Sequence, residues 1–182
     1  MKQIARAFFG GIALTIFLIG SVGSEAANTS GNMAADARAA EERGDHVTAF
    51  RIYRQLAESG SADAQVIVGM DYENGKGAPQ SFEEAAKWYR RAAEQGQVYG
   101  QLMLGILYAT GRGVPHDPEQ SAKWYRRAAE QGDARGQWGL GLLYANGTGV
   151  IQDYITAYKW LNLAVARAVS ERVESNWDSR IG

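Results

Sequence analysis

The sequence predicts an all-α solenoid, stacked from a helix-turn-helix unit of 36 residues. Three observations carry this. Shifting the chain by one unit lays Ser61–Gly96 on Gln97–Gly132 with half the positions identical, and Ala86-Lys87-Trp88-Tyr89-Arg90-Arg91-Ala92-Ala93-Glu94-Gln95-Gly96 returns whole as Ala122 through Gly132. Within a unit, apolar and small residues fall at helical spacing. Only three prolines accompany 22 glycines, which suits helices punctuated by turns.

The first segment has the parts of a secretory signal: Lys2 and Arg6, an uncharged run from Ala7 to Ser24, and small residues around Ser24-Glu25-Ala26-Ala27. Cleavage is expected after Ala26, making residues 1–26 a signal peptide. Gly10, Gly11, Gly20 and Gly23 dilute the run, so an inner-membrane anchor retained as an uncleaved signal is the lesser reading. Residues 27–34 read as a small, polar, disordered leader.

Residues 35–60 form an abbreviated opening unit: helix Ala35–Arg43, a Gly44-Asp45 turn, and helix His46–Glu58 ending at Gly60. In the unit at 61–96, Ala64, Val68, Gly69 and Tyr72 mark a first helix, and Ala85, Trp88, Ala92 and Ala93 a second. Ser81 with Glu84 has the spacing of a capping box, and Asp117-Pro118 with Gln120 repeats it in the unit at 97–132. Glu83 with Lys87 and Glu119 with Lys123 stand four apart in the favourable order for ion pairs. Gly75-Lys76-Gly77 and Gly111-Arg112-Gly113 turn the chain between helices.

Gly69, Gly105 and Gly141 lie inside first helices, where glycine costs about 1 kcal/mol relative to alanine. A close-packed aromatic is the expected return, with Trp88, Trp124 and Trp160, or Tyr72, Tyr108 and Tyr144, as fillers. The third unit, 133–168, keeps Gln137, Gly141, Tyr144, Gly147, Gly149, Ala157, Lys159, Trp160 and Ala164, then puts Leu161-Asn162 for the Tyr-Arg pair, as a capping repeat would. Residues 169–182 read as a polar C-terminal tail without a stop signal. No strand is expected, and about eight helices are.

Composition excludes several classes of function. A formal net charge of −1 offers no field to recruit nucleic acid or anionic lipid, and the absence of cysteine excludes disulfides, thiol nucleophiles and thiolate metal sites. The two histidines, His46 and His116, occupy turn positions of different units and assemble no acid-base set. The Gly-x-Gly pairs follow no strand and lack a third glycine at the offset a phosphate loop needs. Arg90-Arg91 and Arg126-Arg127 could make a basic ladder, but Glu83, Glu94, Glu119 and Glu130 flank them, which favours a salt-bridged solvated face. No catalytic residue, metal ligand or cofactor site is predicted.

Gln65, Gly69, Tyr72, Gly75 and Gly77, followed by Ala86-Lys87-Trp88-Tyr89 and the Ala92-Ala93-Glu94-Gln95-Gly96 ending, resemble the Sel-one-like repeat of the tetratricopeptide-like clan. The likeness covers 61–168, and Gly44-Asp45 with Ala57-Glu58 looks like the half-repeat that often opens such proteins. Ser59 departs from the usual glutamine and Ile151 from proline. The resemblance implies a right-handed superhelix of paired helices whose concave face, lined by first helices, docks a partner; it requires no cofactor. Carried over, the outward positions are Asp63, Val66, Met70 and Glu73, then Tyr99, Leu102 and Ile106, then Arg135, Trp138 and Leu142. Val66, Leu102 and Trp138 are equivalent across units, and for these three the core reading stands slightly ahead of the groove reading. The candidate partner-binding set is therefore Asp63, Met70, Glu73, Tyr99, Ile106, Arg135, Trp138 and Leu142.

The expected function is a periplasmic or secreted, non-catalytic scaffold or adaptor that holds a protein or peptide, with no nucleic-acid partner and no stable membrane association after signal cleavage. The alternatives are an exported hydrolase acting on cell wall or β-lactam, and a secreted host-interaction factor. A hydrolase would need a serine constellation, whereas Ser81 and Ser121 are explained as a cap and a packing residue.

Overall fold

Helix boundaries in this chain are set by short polar side chains at the start and glycine at the end. The computed structural model describes residues 31–181, with side chains through Ser170. The assigned signal peptide 1–26 and leader residues 27–30 lie outside the described residues. Eight helices and no strand occur among those described: α1 (31–42), α2 (His46–Glu58), α3 (Ala62–Asn74), α4 (Phe82–Glu94), α5 (Val98–Thr110), α6 (Pro118–Glu130), α7 (Ala134–Asn146) and α8 (Tyr154–Ile181). Asp45, Ser61, Ser81, Gln97, Asp117 and Asp133 each accept a backbone N–H of the turn they open, satisfying a donor the helix cannot. First helices α3, α5 and α7 end on Gly75, Gly111 and Gly147 in the left-handed region.

From α2 onward each helix packs chiefly on the helices before and after it in the chain, the one-dimensional stacking of a repeat protein. That explains why α5 is apolar around most of its circumference while α4 and α6 carry charge on one side. First helices are flanked on both sides; second helices keep a solvent face. One buried cluster joins Ala37, Ala40, Phe50, Tyr53 and Leu56 to Val68 and Trp88, and another joins Val66, Ala85 and Tyr89 to Leu104, Leu107 and Trp124. Tyr72 borders both.

The loop inside each repeat rests on the repeat before it. Gly77 has φ +73°, and a Cβ there would fall onto the His46 carbonyl at the start of α2; Gly113 meets Phe82 of α4, and Gly149 meets Pro118 of α6, in the same way. Lys76 in the first loop pairs with Glu41 at 2.7 Å, while its counterpart Arg112 stacks on the Phe82 ring at 4.0 Å.

Several expectations are corrected. Residues 31–34, assigned to a disordered leader, are helical, and Met33 and Ala34 pack against the first cluster, because α1 needs an extra turn to cover it. The capping boxes are half made: Ser81 and Asp117 cap, but their own N–H groups donate to the Tyr72 and Tyr108 carbonyls, closing the loop onto the first helix. Lys87 pairs with Glu84 at 2.6 Å rather than with Glu83. The residues that fill the helix glycines are neither the tryptophans nor Tyr72, Tyr108 and Tyr144. They are Tyr89 against Gly69, Tyr125 against Gly105 and Leu161 against Gly141, where a Cβ would lie 2.7–2.8 Å from the facing side chain. Arg90 and Arg126 donate to the Tyr108 and Tyr144 hydroxyls, and Arg91 and Arg127 lie over Trp88 and Trp124. The four guanidiniums rest on aromatic rings rather than on the flanking glutamates, so among the described residues no ion pair joins an arginine of either pair to Glu83, Glu94, Glu119 or Glu130. Residues 169–181, read as a tail, continue α8, because Ala168 stands where Gly96 and Gly132 end the earlier second helices.

Candidate functional site

The first helices present three rows of equivalent side chains, and burial separates them. Val66 and Leu102 are 7% and 3% exposed and belong to the core, whereas Trp138 is 50% exposed. The core reading thus holds for two members of that row and fails for the third: Val66 joins the cluster that includes Leu104 of the next repeat, whereas α7 is the last first helix among the described residues. In the second row Met70 and Leu142 are exposed and Ile106 is half-buried. In the third, Asp63 and Arg135 are exposed and Tyr99 half-buried, and Arg135 reaches back across one repeat to lie 5.4 Å from the Tyr99 ring centroid. Arg135 also bonds Asp133, the α7 cap, at 2.7 Å, and its hydrogen bonds hold that carboxyl below the usual carboxylate range against the opposing effect of burial.

Sequence reasoning passed over Ile67, Met103 and Gly139, which are equivalent to one another and half-buried beside this row. The substitution of glycine at the third copy was the available signal. A Cβ at Gly139 would stand 3.0 Å from the Tyr125 ring, so that ring is held between Gly105 on α5 and Gly139 on α7.

Titratable groups gather in the first full repeat. Tyr89 is fully buried and donates its hydroxyl to Glu73 at 2.9 Å; burial, then the adjacent carboxylate, raise its pKa far above the tyrosine norm. Tyr53 likewise donates to Glu41, which also takes Lys76. Asp71 is buried where the next two units carry Leu107 and Leu143, and burial pushes its carboxyl up to about 6, with Lys76 opposing and Glu41 reinforcing the rise.

A glutamine ladder ties the repeats together. Buried Gln65, Gln101 and Gln137 donate to the carbonyls of Ala57, Ala93 and Ala129 in the preceding second helix, and Gln65 and Gln101 accept from Gln95 and Gln131. In the last repeat the counterpart of Gln131 is Arg167, and the Gln137 Oε1 is buried without a partner.

The serines and histidines weighed for catalysis are not brought together among the described residues. Ser81 caps α4, Ser121 is fully buried and donates to the Gly105 carbonyl at 2.8 Å, and His46 and His116 are exposed in different repeats. Among the described residues no three histidine or acidic side chains gather as a metal site, and no helix is long and apolar enough to cross a membrane.

Comparison with known proteins agrees with this geometry. A protective antigen present in uropathogenic Escherichia coli strains, displaying an SLR fold, is 35% identical with a TM-score of 0.68 over 77% of this chain and 33% of its own. A Sel1 repeat protein from Oxalobacter formigenes is 30% identical with a TM-score of 0.69 over 74% of this chain and 55% of its own. The chain thus matches about a third of the one and about half of the other. No curated protein matches it. The Sel1 repeat itself matches four times, at residues 39–61, 62–97, 98–133 and 134–168; the second and third matches each span one helix pair and its loop, the first takes in the end of α1 with α2, and the last takes in α7 with the first half of α8, and the chain accordingly belongs to the Sel1 repeat family.

Proposed function

We propose that this chain is an exported, non-catalytic scaffold that seats a protein or peptide partner on the concave face formed by its first helices. Sel1 repeat proteins are generally protein-interaction scaffolds. The observation that carries the reading is the row Met70, Ile106 and Leu142: apolar side chains in register on three successive first helices, open to solvent at both ends. Asp63 and Glu73 lie at one end of this face and Arg135 at the other, giving a partner one orientation by charge. Trp138 supplies the aromatic anchor that such surfaces favour. Export rests on Lys2 and Arg6 ahead of the uncharged run and on the small residues near Ala26.

The test places a photo-crosslinker at Met70 or Leu142 and, as a control, at Lys123 on the charged side of α6. The reading expects one protein captured from the first-helix positions and not from Lys123. With that protein purified, Tyr99→Ala combined with Arg135→Ala should weaken binding by about tenfold or more, since each hot-spot truncation costs over 1 kcal/mol. Unchanged affinity in a variant that keeps its helicity would overturn the assignment of the face.

A further inference from the structure

We propose that α8, with the adjoining flank of α7, is a tail-to-tail interface between two copies of this chain. Within the stack, each repeat buries a fixed set of positions on the repeat before it: Val66 and Leu102, Ala86 and Ala122, Ala93 and Ala129. The incoming first helix lies so close that a Cβ on Gly100 or Gly136 would stand 3.0 or 2.8 Å from the Ala92 or Ala128 Cβ. In the closing repeat the equivalent positions are Trp138, Tyr158 and Val165, all larger and all apolar. Tyr158 is 69% and Val165 53% exposed. Charged outward positions change in the same direction: Glu83 and Glu119 give way to Ile155, Arg91 and Arg127 to Leu163, Glu94 and Glu130 to Ala166, and all three replacements are exposed. A solenoid end facing water alone becomes more polar than the interior; this one becomes more apolar.

The repeat-to-repeat interface therefore continues onto the end of the stack with its apolar character enhanced. Ala168 removes the terminating glycine, so α8 runs straight for 28 residues, about 42 Å, instead of turning back to lay another first helix on this face. The opposite end cannot serve as the occupant. The exposed residues of α1 include Asn32, Asp36, Arg38 and Glu42, so head-to-tail stacking would bury three charges against Tyr158 and Val165, where the two-fold contact brings in only Lys159 from each copy.

The end face instead matches itself. It offers projecting Tyr158 and Leu163 and two open recesses. One, of about 370 Å³, is floored by Ala164 and Ala168 beside Trp138. The other, of about 520 Å³, lies along Tyr158, Lys159, Asn162, Leu163 and Ala166, so that one exposed charge stands on the face. A two-fold axis crossing α8 near Asn162 sets the helices antiparallel and brings Tyr158 of one copy against Val165 and Ala166 of the other, twice. An isologous contact needs such a self-complementary patch, and α8 extends beyond α7, a helix of 13 residues, leaving length for the second copy to pair with.

The test measures the mass of the full chain in solution by light scattering over a range of concentrations. Wild type should show twice the chain mass. The variant Ile155→Glu, Tyr158→Ala, Leu163→Arg, Val165→Ala, which restores internal-repeat residues at exposed positions, should show one chain mass with its helical circular dichroism intact. Because the chain has no cysteine, Asn162→Cys alone should form a disulfide between copies on oxidation, a readout that keeps Ile155, Tyr158, Leu163 and Val165 in place. A single chain mass for wild type at every concentration, a doubled mass retained by the variant, or no crosslink through Asn162→Cys would each overturn the proposal. Wild type found as a single chain that co-sediments with phosphatidylglycerol vesicles would overturn it too, by giving the face to a membrane surface. Loss of folding in the fourfold variant shifts the mass test to Leu163→Arg, whose expected outcome is the same. The two faces meet at Arg135 and Trp138, and none of these substitutions touches either residue or the Met70, Ile106 and Leu142 row, so a change of mass is distinguishable from loss of the proposed partner face.

Discussion

Residues 61–96 and 97–132 share half their side chains and the same backbone course, yet their interiors differ in chemistry. Both lay a tyrosine ring on a helix glycine, Tyr89 on Gly69 and Tyr125 on Gly105. In the first unit that tyrosine is fully buried and bonded to Glu73, beside a buried Asp71. In the second the same places hold Ala109 and Leu107, and Tyr125, only half-buried, has its pKa raised by burial alone. The comparison separates two kinds of position. Shared residues dictate how closely helices approach, and a pair of inner positions decides whether the resulting core is titratable.

The largest break in this comparison should come from the rings themselves. Tyr89→Ala should cost about 3–5 kcal/mol, and Tyr125→Ala about 2–3 because less of it is buried, as read from urea unfolding. Equal losses would show that the glycine contact, common to both, outweighs the difference in burial.

Asp71 gives the next effect. In the fold it keeps its proton up to about pH 6, while the unfolded chain releases it near 3.8, so between those values the folded state binds more protons and stability falls as pH rises. The penalty is fully present above pH 6 and amounts to at most about 3 kcal/mol. Asp71→Leu, which copies Leu107, should raise Tm at neutral pH and flatten the profile between pH 4 and 6. A variant whose stability kept the wild-type slope would assign that slope to other carboxylates. Smallest should be Glu73→Ala, which copies Ala109 and leaves the Tyr89 hydroxyl without its acceptor; thermal unfolding should register a loss of about 1–2 kcal/mol.

Much of this fold was legible beforehand because a repeat states its own rules more than once. Helix pairs, the turns at Gly75 and Gly111, and caps at Ser81 and Asp117 all follow from local backbone chemistry, which depends on neighbours within a few residues. The arginine pairs were misread for the opposite reason. Arg90 lies next to glutamates in sequence but beside Tyr108, eighteen residues on, in space. The tyrosine that fills Gly69 was missed because Trp88 and Tyr89 are adjacent on one helix, and only the rotation of α4 against α3 chooses between them. The candidate face divides in the same way: Val66 and Trp138 occupy one sequence position, and whether that position is core or surface depends on whether another helix follows.

By itself, then, the sequence determined the unit, its period, the ends of most helices and the family, since those are consequences of short-range hydrogen bonding and of glycine recurring in register. Tertiary structure alone decided which ring enters which glycine notch, where the arginines rest, that Asp71 is buried, and that the closing repeat turns apolar side chains outward. Those outcomes depend on what is stacked above and below each helix, and no window of sequence shorter than two repeats contains that information.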